Sequence, residues 1–321
     1  MDGGTREARK ENVVIRAGDC EVKLLPQFGG KIASILVKGR ELLQTPLAPV
    51  ASRTQTMTFE EGDASGWDEC LPSVAACTLT TNERVAQIPD HGDLWRVAWE
   101  RPESGDGDQG SVTLRGECFS LPLALERTVD LSETGTGWRL DLGYVLTNWG
   151  GTAAPWSWAA HPLFAVEEAD RIELPGSIKE LRVEGSGSGR LGAAGDPVAW
   201  PVAPGATGEA IDLRVVESAQ SRIGDKLFAG PLAAAENWCV LHRRRAGLRV
   251  RVEFDPVLTP YLGLWLCYGG WPDTKGPRQM CVALEPATSP VDSLARSGAW
   301  SRALGPGASF AWPMRVDLEI L

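Results

Sequence analysis

Three residues far apart in the chain could together move a proton: His91, His161 and Glu285. Imidazole and carboxylate are the side chains that exchange protons near neutral pH. His91 stands in Ile88-Pro89-Asp90-His91-Gly92-Asp93, where Pro89 and Gly92 punctuate the backbone and Asp90 favours a turn. His161 stands in Trp156-Ser157-Trp158-Ala159-Ala160-His161-Pro162-Leu163-Phe164, and Pro162 pushes it towards an extended conformation. Glu285 ends the apolar run Met280-Cys281-Val282-Ala283-Leu284, directly before Pro286. A carboxylate at the end of a buried strand is partly desolvated, which raises its pKa and makes it a better base. The remaining histidine, His242, precedes Arg243, Arg244 and Arg245 and reads as a solvated basic turn.

Each group also has a plainer reading. A loop histidine can simply bond a neighbouring carbonyl, and a glutamate can simply leave the core at a strand end. Two histidines and a carboxylate are in addition a known metal-ligand set, although no H-x-x-x-H spacing supports one.

The elements that must position these groups are strands. Cys20, Val22 and Leu24 alternate with Glu21 and Lys23, and Val112, Leu114 and Cys118 oppose Thr113, Arg115 and Glu117. Trp138 to Leu146, Leu248 to Asp255 and Met314 to Ile320 alternate in the same way. Leu94 to Trp99, after the His91 turn, shows the same period and is expected to be a strand. This period of two marks strands with one buried and one wetter face, as in antiparallel sheets. No long stretch has a helical period; Asp292 to Arg296 could form one short turn. With 36 Gly and 22 Pro as turn material, the pattern predicts an all-β fold, a large antiparallel β-sandwich or barrel. Glu184 to Gly189 is a flexible tract, read together with Pro197 to Gly208 as a long excursion between strands of one domain spanning residues 1–321. Residues 1–11 are expected to be a flexible tail.

The chain has 321 residues and a net charge of -10, which argues against a nucleic-acid backbone or an anionic membrane as partner. Leu142 to Val166 carries no charge, but Asn148, Gly150, Gly151, Pro155 and Pro162 break it, so no membrane span is expected. The N-terminus lacks an apolar stretch of the secretory kind. Seven scattered cysteines form no C-x-x-C pair, which fits reduced thiols in a cytoplasmic protein. There are 13 Trp, and indoles that do not fill core can stack on sugar rings.

In order along the chain, several pieces resemble the aldose 1-epimerases (galactose mutarotases) and their hexose-6-phosphate relatives. They are His91-Gly92 with a following Trp, His161-Pro162-Leu163-Phe164, Asp225-Lys226-Leu227-Phe228, Glu285-Pro286, and Leu304-Gly305-Pro306-Gly307 before the last strand. The resemblance covers most of the chain from about His91 onward. It implies a galactose mutarotase-like supersandwich with a sugar site in an open cleft and no cofactor. By motif, His161 would be the general acid and Glu285 the general base. His91 would hydrogen-bond the sugar, and Asp225 would hold ring hydroxyls. The partner would be a small-molecule sugar, bound by a monomer or homodimer. Around His161 the family's usual "NHxYFNL" is replaced, with Ala160 in place of the Asn. The family's "NRI" segment is absent, and Gly66-Trp67-Asp68-Glu69 stands there instead. Asp68 and Glu69 are candidates to read hydroxyls, and Trp67, Trp265 and Trp271 to form a stacking wall. A phosphorylated sugar would need cations aimed into the cleft, and Arg96, Lys275 and Arg278 form no evident cluster.

Overall fold

A computed structural model describes residues 12–80, 85–102 and 110–321; the expected N-terminal tail, 1–11, lies outside them. The alternating runs fold as strands Cys20–Leu25, Ser111–Glu117, Gly137–Asn148, Leu248–Phe254 and Ser309–Ile320. Along Leu248–Phe254 burial alternates residue by residue, because successive side chains leave a strand on opposite faces. The helical elements among the described residues are six 3₁₀ turns of three residues each, one of them Leu294–Arg296. No helix of the described residues is long and apolar enough to cross a membrane.

Eleven strands form one antiparallel sheet and seven form a second. In the large sheet five neighbouring strands matter for function, in the spatial order Trp67–Cys70, Ala159–Ala165, Met280–Ala287, Tyr261–Tyr268 and Ile223–Ala229. One face of these strands, carrying Trp67, Phe164, Leu284, Leu264 and Leu227, merges with Leu125, Leu140, Val250 and Val316 of the second sheet into a single buried apolar cluster. The opposite face carries two small separate clusters, Cys70, Ala159, Phe228, Tyr261 and Ala287, and Leu163, Cys267, Cys281 and Ala283. The molecule is therefore a large antiparallel β-sandwich, and the face of the large sheet turned away from the second sheet is free to carry a site.

Between the sheets lies a fully buried charged pair. Arg127 Nη1 donates to Glu69 Oε1 at 2.9 Å, with both side chains 0% exposed. Tyr144 and Trp158 also donate to the Glu69 carboxylate, at 3.1 and 2.9 Å.

Three local expectations are corrected. Leu94–Arg96 is a 3₁₀ turn, not the start of a strand, and all three side chains are buried. The apparent polar position, Arg96, points inward because its guanidinium satisfies the carbonyls of Met57, Asp90 and Gly92. The glycine-serine tract is not an excursion at its start: Glu180–Ser186 is a strand, paired with Ile223–Ala229 through a bulge between Val183 and Gly185. His242 belongs to the strand Trp238–Arg243 and meets Glu173 at 2.7 Å, so it is not in a solvated turn.

Candidate functional site

The register of two strands brings His161 and Glu285 together. Ala159 lies opposite Ala287 and Leu163 opposite Ala283, with no paired residues between. Continuing that register places His161 directly opposite Glu285. Both strands carry a proline in the gap, Pro162 and Pro286, and neither has an N–H to give to the ladder. The strand therefore does not end at Glu285, as the Glu-Pro pattern suggested, but runs on to Ala287. His161 Nε2 stands 4.0 Å from Glu285 Oε1. Glu285 Oε1 and His161 Nδ1 are both buried without a hydrogen-bond partner, a costly arrangement that functional sites tolerate.

The neighbouring strands fill the row. Asp68 lies opposite His161, Gly263 opposite Glu285, and Phe228 opposite Gly263. A Cβ at Gly263 would stand 3.1 Å from Glu285 Oε2 and 3.2 Å from Phe228 Cε1. Glycine here makes room for the carboxylate. Gly263→Ala is accordingly expected to lower stability by about 1–3 kcal/mol through overpacking, and thermal melting compared with the parent protein checks it; an unchanged melting temperature removes the role given to Gly263.

His91 enters from a loop. It adopts a left-handed conformation, φ +58°, followed by Gly92 at +69°; a Cβ on Gly92 would lie 2.2 Å from the Leu71 carbonyl oxygen. Histidine tolerates this region better than most residues, and such conformations gather at functional sites. Asp90 Oδ2 meets His91 Nδ1 at 2.7 Å, which orients the ring. Phe59 stacks on the imidazole with centroids 3.9 Å apart, and the rings of His91 and His161 are 5.0 Å apart.

These groups border a cavity of about 280 Å³, near the lower end of the usual size for ligand sites. Its aromatic walls are Phe59, Trp265 and Trp271, and its polar lining includes Asp90, Lys226, Gln279 and Asp292. Lys226 Nζ is paired with Glu285 Oε2 and lies 3.6 Å from Asp292 Oδ1.

Of the residues the sequence singled out, His91, His161, Trp265 and Trp271 line this cavity, and Glu285 is buried behind it, paired with the lining residue Lys226. Asp225 does not reach it. Asp225 and Lys226 are adjacent on one strand, so they leave it on opposite faces. The carboxylate of Asp225 is held by Ser186 and Arg190, each at 2.7 Å. Glu69 and Trp67 also face the second sheet, Glu69 in its pair with Arg127 and Trp67 in the core. Asp68 shares the His161 face, but it is 1% exposed and bound to Lys31 at 2.6 Å beneath the site. Of the candidate phosphate ligands, Arg96 serves backbone carbonyls, Arg278 meets Asp273 and the carbonyls of Gly269 and Thr274, and Lys275 is exposed. Phe59, Lys226, Gln279 and Asp292 were not singled out. For Lys226 the Asp225-Lys226 step held the signal, but nothing in the chain said which of the two faces outward.

Burial shapes the proton affinities. It pushes the Glu285 carboxyl above its ordinary range, against the pull of Lys226. Burial also pushes His161 well below the usual imidazole value, aided by the nearby charges of His91, Lys226 and Lys31. Lys226 is raised: burial works against its charge, but Asp292 and Glu285 outweigh it. For His161 the stability consequence has a definite sign. The unfolded imidazole takes a proton near about pH 6.5 and the folded one resists it, so its contribution is intact above that pH and falls as pH drops towards the folded value. Thermal melting from neutral to mildly acidic pH should therefore show a steeper loss for the parent protein than for His161→Gln; parallel curves would contradict this.

No family model matches the chain, and no curated protein matches it. Solved structures do. A protein from Synechocystis sp. PCC 6803 superposes with a TM-score of 0.70 at 16% identity, covering 100% of both chains. A galactose mutarotase related enzyme from Lactobacillus acidophilus gives 0.67 at 16% identity, over 97% of this chain and 100% of the other. A GalM/aldose epimerase homologue from C. elegans gives 0.65 at 13% identity, over 97% and 99%. At these identities the likeness is one of fold.

Proposed function

We propose that the protein interconverts the anomers of a single sugar ring by acid–base ring opening and closure, as an isomerase of the aldose 1-epimerase type. The observation that carries this reading is the facing pair His161 and Glu285, 4.0 Å apart, each with an unpartnered buried atom beside a cavity sized for one ring. Glu285 takes the proton of the anomeric hydroxyl while His161, acting from its minor protonated form, a strong acid because its proton affinity is lowered, protonates the ring oxygen and is left neutral. The bond from the anomeric carbon to the ring oxygen breaks with its electron pair going to that oxygen, and an open-chain aldehyde forms. Rotation about the adjacent carbon–carbon bond and the reverse proton transfers close the other anomer. Each positioned proton transfer contributes about 10²–10⁴-fold, and the chemistry calls for no cofactor. In this reading His91 bonds the sugar, Phe59 and Trp271 flank the ring, and Asp90 and Asp292 accept from hydroxyls. Asp68 supports His161 from below, whereas Asp225, Glu69 and Trp67 have structural roles.

A neutral sugar fits better than a phosphorylated one. Lys226 is the one lining cation among the described residues, and it is already committed to two carboxylates. The second reading is a carbohydrate-binding protein without turnover; the ion pair that covers Glu285 Oε2 favours it. Seven free thiols fit a reducing compartment, the cytoplasm. The test is to mix the protein with fresh α-anomers of a hexose panel and follow anomeric exchange by NMR. Faster exchange supports the isomerase. Binding without faster exchange establishes the second reading, and neither binding nor exchange refutes both.

A further inference from the structure

Lys226 poses a problem for any reaction at Glu285. Its Nζ holds Oε2 through a direct ion pair and leaves Oε1 without a partner. A cation so placed weakens the carboxylate as a proton acceptor. Without the cation, however, a carboxylate 0% exposed would itself be driven towards its neutral form. The surroundings offer a way out of this conflict. Asp292 Oδ1 lies 3.6 Å from the same ammonium and has no hydrogen-bond partner. The backbone of Asp292 is fixed on both sides: its carbonyl accepts from Val74 and Ala75, and its N–H donates to Glu184. The ammonium lies over the Phe228 ring, 5.2 Å from its centre, so no further polar group of Phe228 holds it in place.

We propose that Lys226 is a positioning residue for Glu285: it clamps the carboxylate through Oε2 and passes to Asp292 when a sugar hydroxyl takes up that oxygen. The purpose of this hand-over rests on the ring-opening reading, but the clamp itself does not. While paired, Glu285 is held ionised in a dry site; once Lys226 leaves, the carboxylate becomes a stronger acceptor for the hydroxyl proton. The other titratable groups around the carboxylate are His161 and Asp68 on neighbouring strands, His91 from its loop, Cys70, and Cys281 on the same strand. None of them supplies a second fixed cation.

The experiment compares the full-length protein with Lys226→Met, Lys226→Arg and Asp292→Asn, each checked by circular dichroism. In protein labelled at the glutamate δ-carbon, Glu285 is identified by the signal lost in Glu285→Gln and titrated by carbon NMR. Loss of an opposite charge at this range raises a carboxyl midpoint by about 1–3 pH units, so Lys226→Met should move it up by at least about one unit, and Lys226→Arg should restore it. Asp292→Asn, which removes the competing anion, should move it down. An unmoved midpoint in Lys226→Met overturns the clamp, and an unmoved or raised one in Asp292→Asn overturns the hand-over. Anomeric exchange measured on the same samples separates the two ideas. Lys226→Met should lose rate at neutral pH and regain it at higher pH. A shifted midpoint with no exchange in the parent protein keeps the clamp and removes the ring-opening reading. Exchange in the parent with unmoved midpoints does the reverse.

Discussion

Glu285→Gln is expected to lower the anomeric exchange rate by at least about two orders of magnitude while leaving sugar affinity largely intact, because one positioned proton transfer is worth about 10²–10⁴-fold. The amide has the shape of the carboxylate and can still accept a hydrogen bond, but it cannot take the proton of the anomeric hydroxyl. Loss of kcat with little change in KM is the signature of a group used in the transition state rather than in binding. Folding should survive, since Lys226 keeps Asp292 as a counter-charge 3.6 Å away. Saturation-transfer NMR on the sugar identified by the panel measures the rate, and calorimetry measures binding. Undiminished exchange in the amide variant would remove Glu285 from the chemistry and the proposed mechanism with it.

Arg127→Met should be the most damaging single change to the fold, costing about 3–5 kcal/mol because it leaves a buried carboxylate without its counter-charge. Glu69 is fully buried, and burial already pushes its proton affinity up, with Arg127 chief among the groups opposing this. Tyr144 and Trp158 would remain as neutral donors. The same guanidinium also serves the Gly30 carbonyl and lies over Trp99 at 5.3 Å, so methionine would have to replace packing as well as charge. Adding Glu69→Gln to Arg127→Met should recover a large part of the loss, since an amide keeps the two neutral donors satisfied without a stranded charge. Denaturant unfolding of the single and double variants measures both. A single-variant loss within the surface-pair range of about 1 kcal/mol would show that charge is not what matters there.

The fold was readable because strands with one wet face announce themselves. Leu248–Phe254 alternates throughout and Ser309–Ile320 as far as Leu318, and no rival period competes with them. The same rule misled at Leu94–Trp99, where Arg96 imitated an outward residue while bonding three carbonyls in the interior. The site was readable to the extent that its chemistry was rare. Three histidines in 321 residues leave few candidates, and two of them line one cavity, His161 standing 4.0 Å from Glu285. Facing was not readable. Asp225 and Lys226, or Asp68 and Glu69, are neighbours that a one-residue shift of register would exchange. Only the pairing with adjacent strands fixes which of each couple takes the face that carries His161. Phe59 and Asp292 come from irregular segments, where no period marks them.

The twin prolines across the gap have one more consequence. Neither Pro162 nor Pro286 brings an amide hydrogen to the ladder, so two of its bonds are missing beside the imidazole and the carboxylate, while the matching register on either side keeps the strands from sliding. The interruption is written into the backbone by residue type and asks nothing of a ligand.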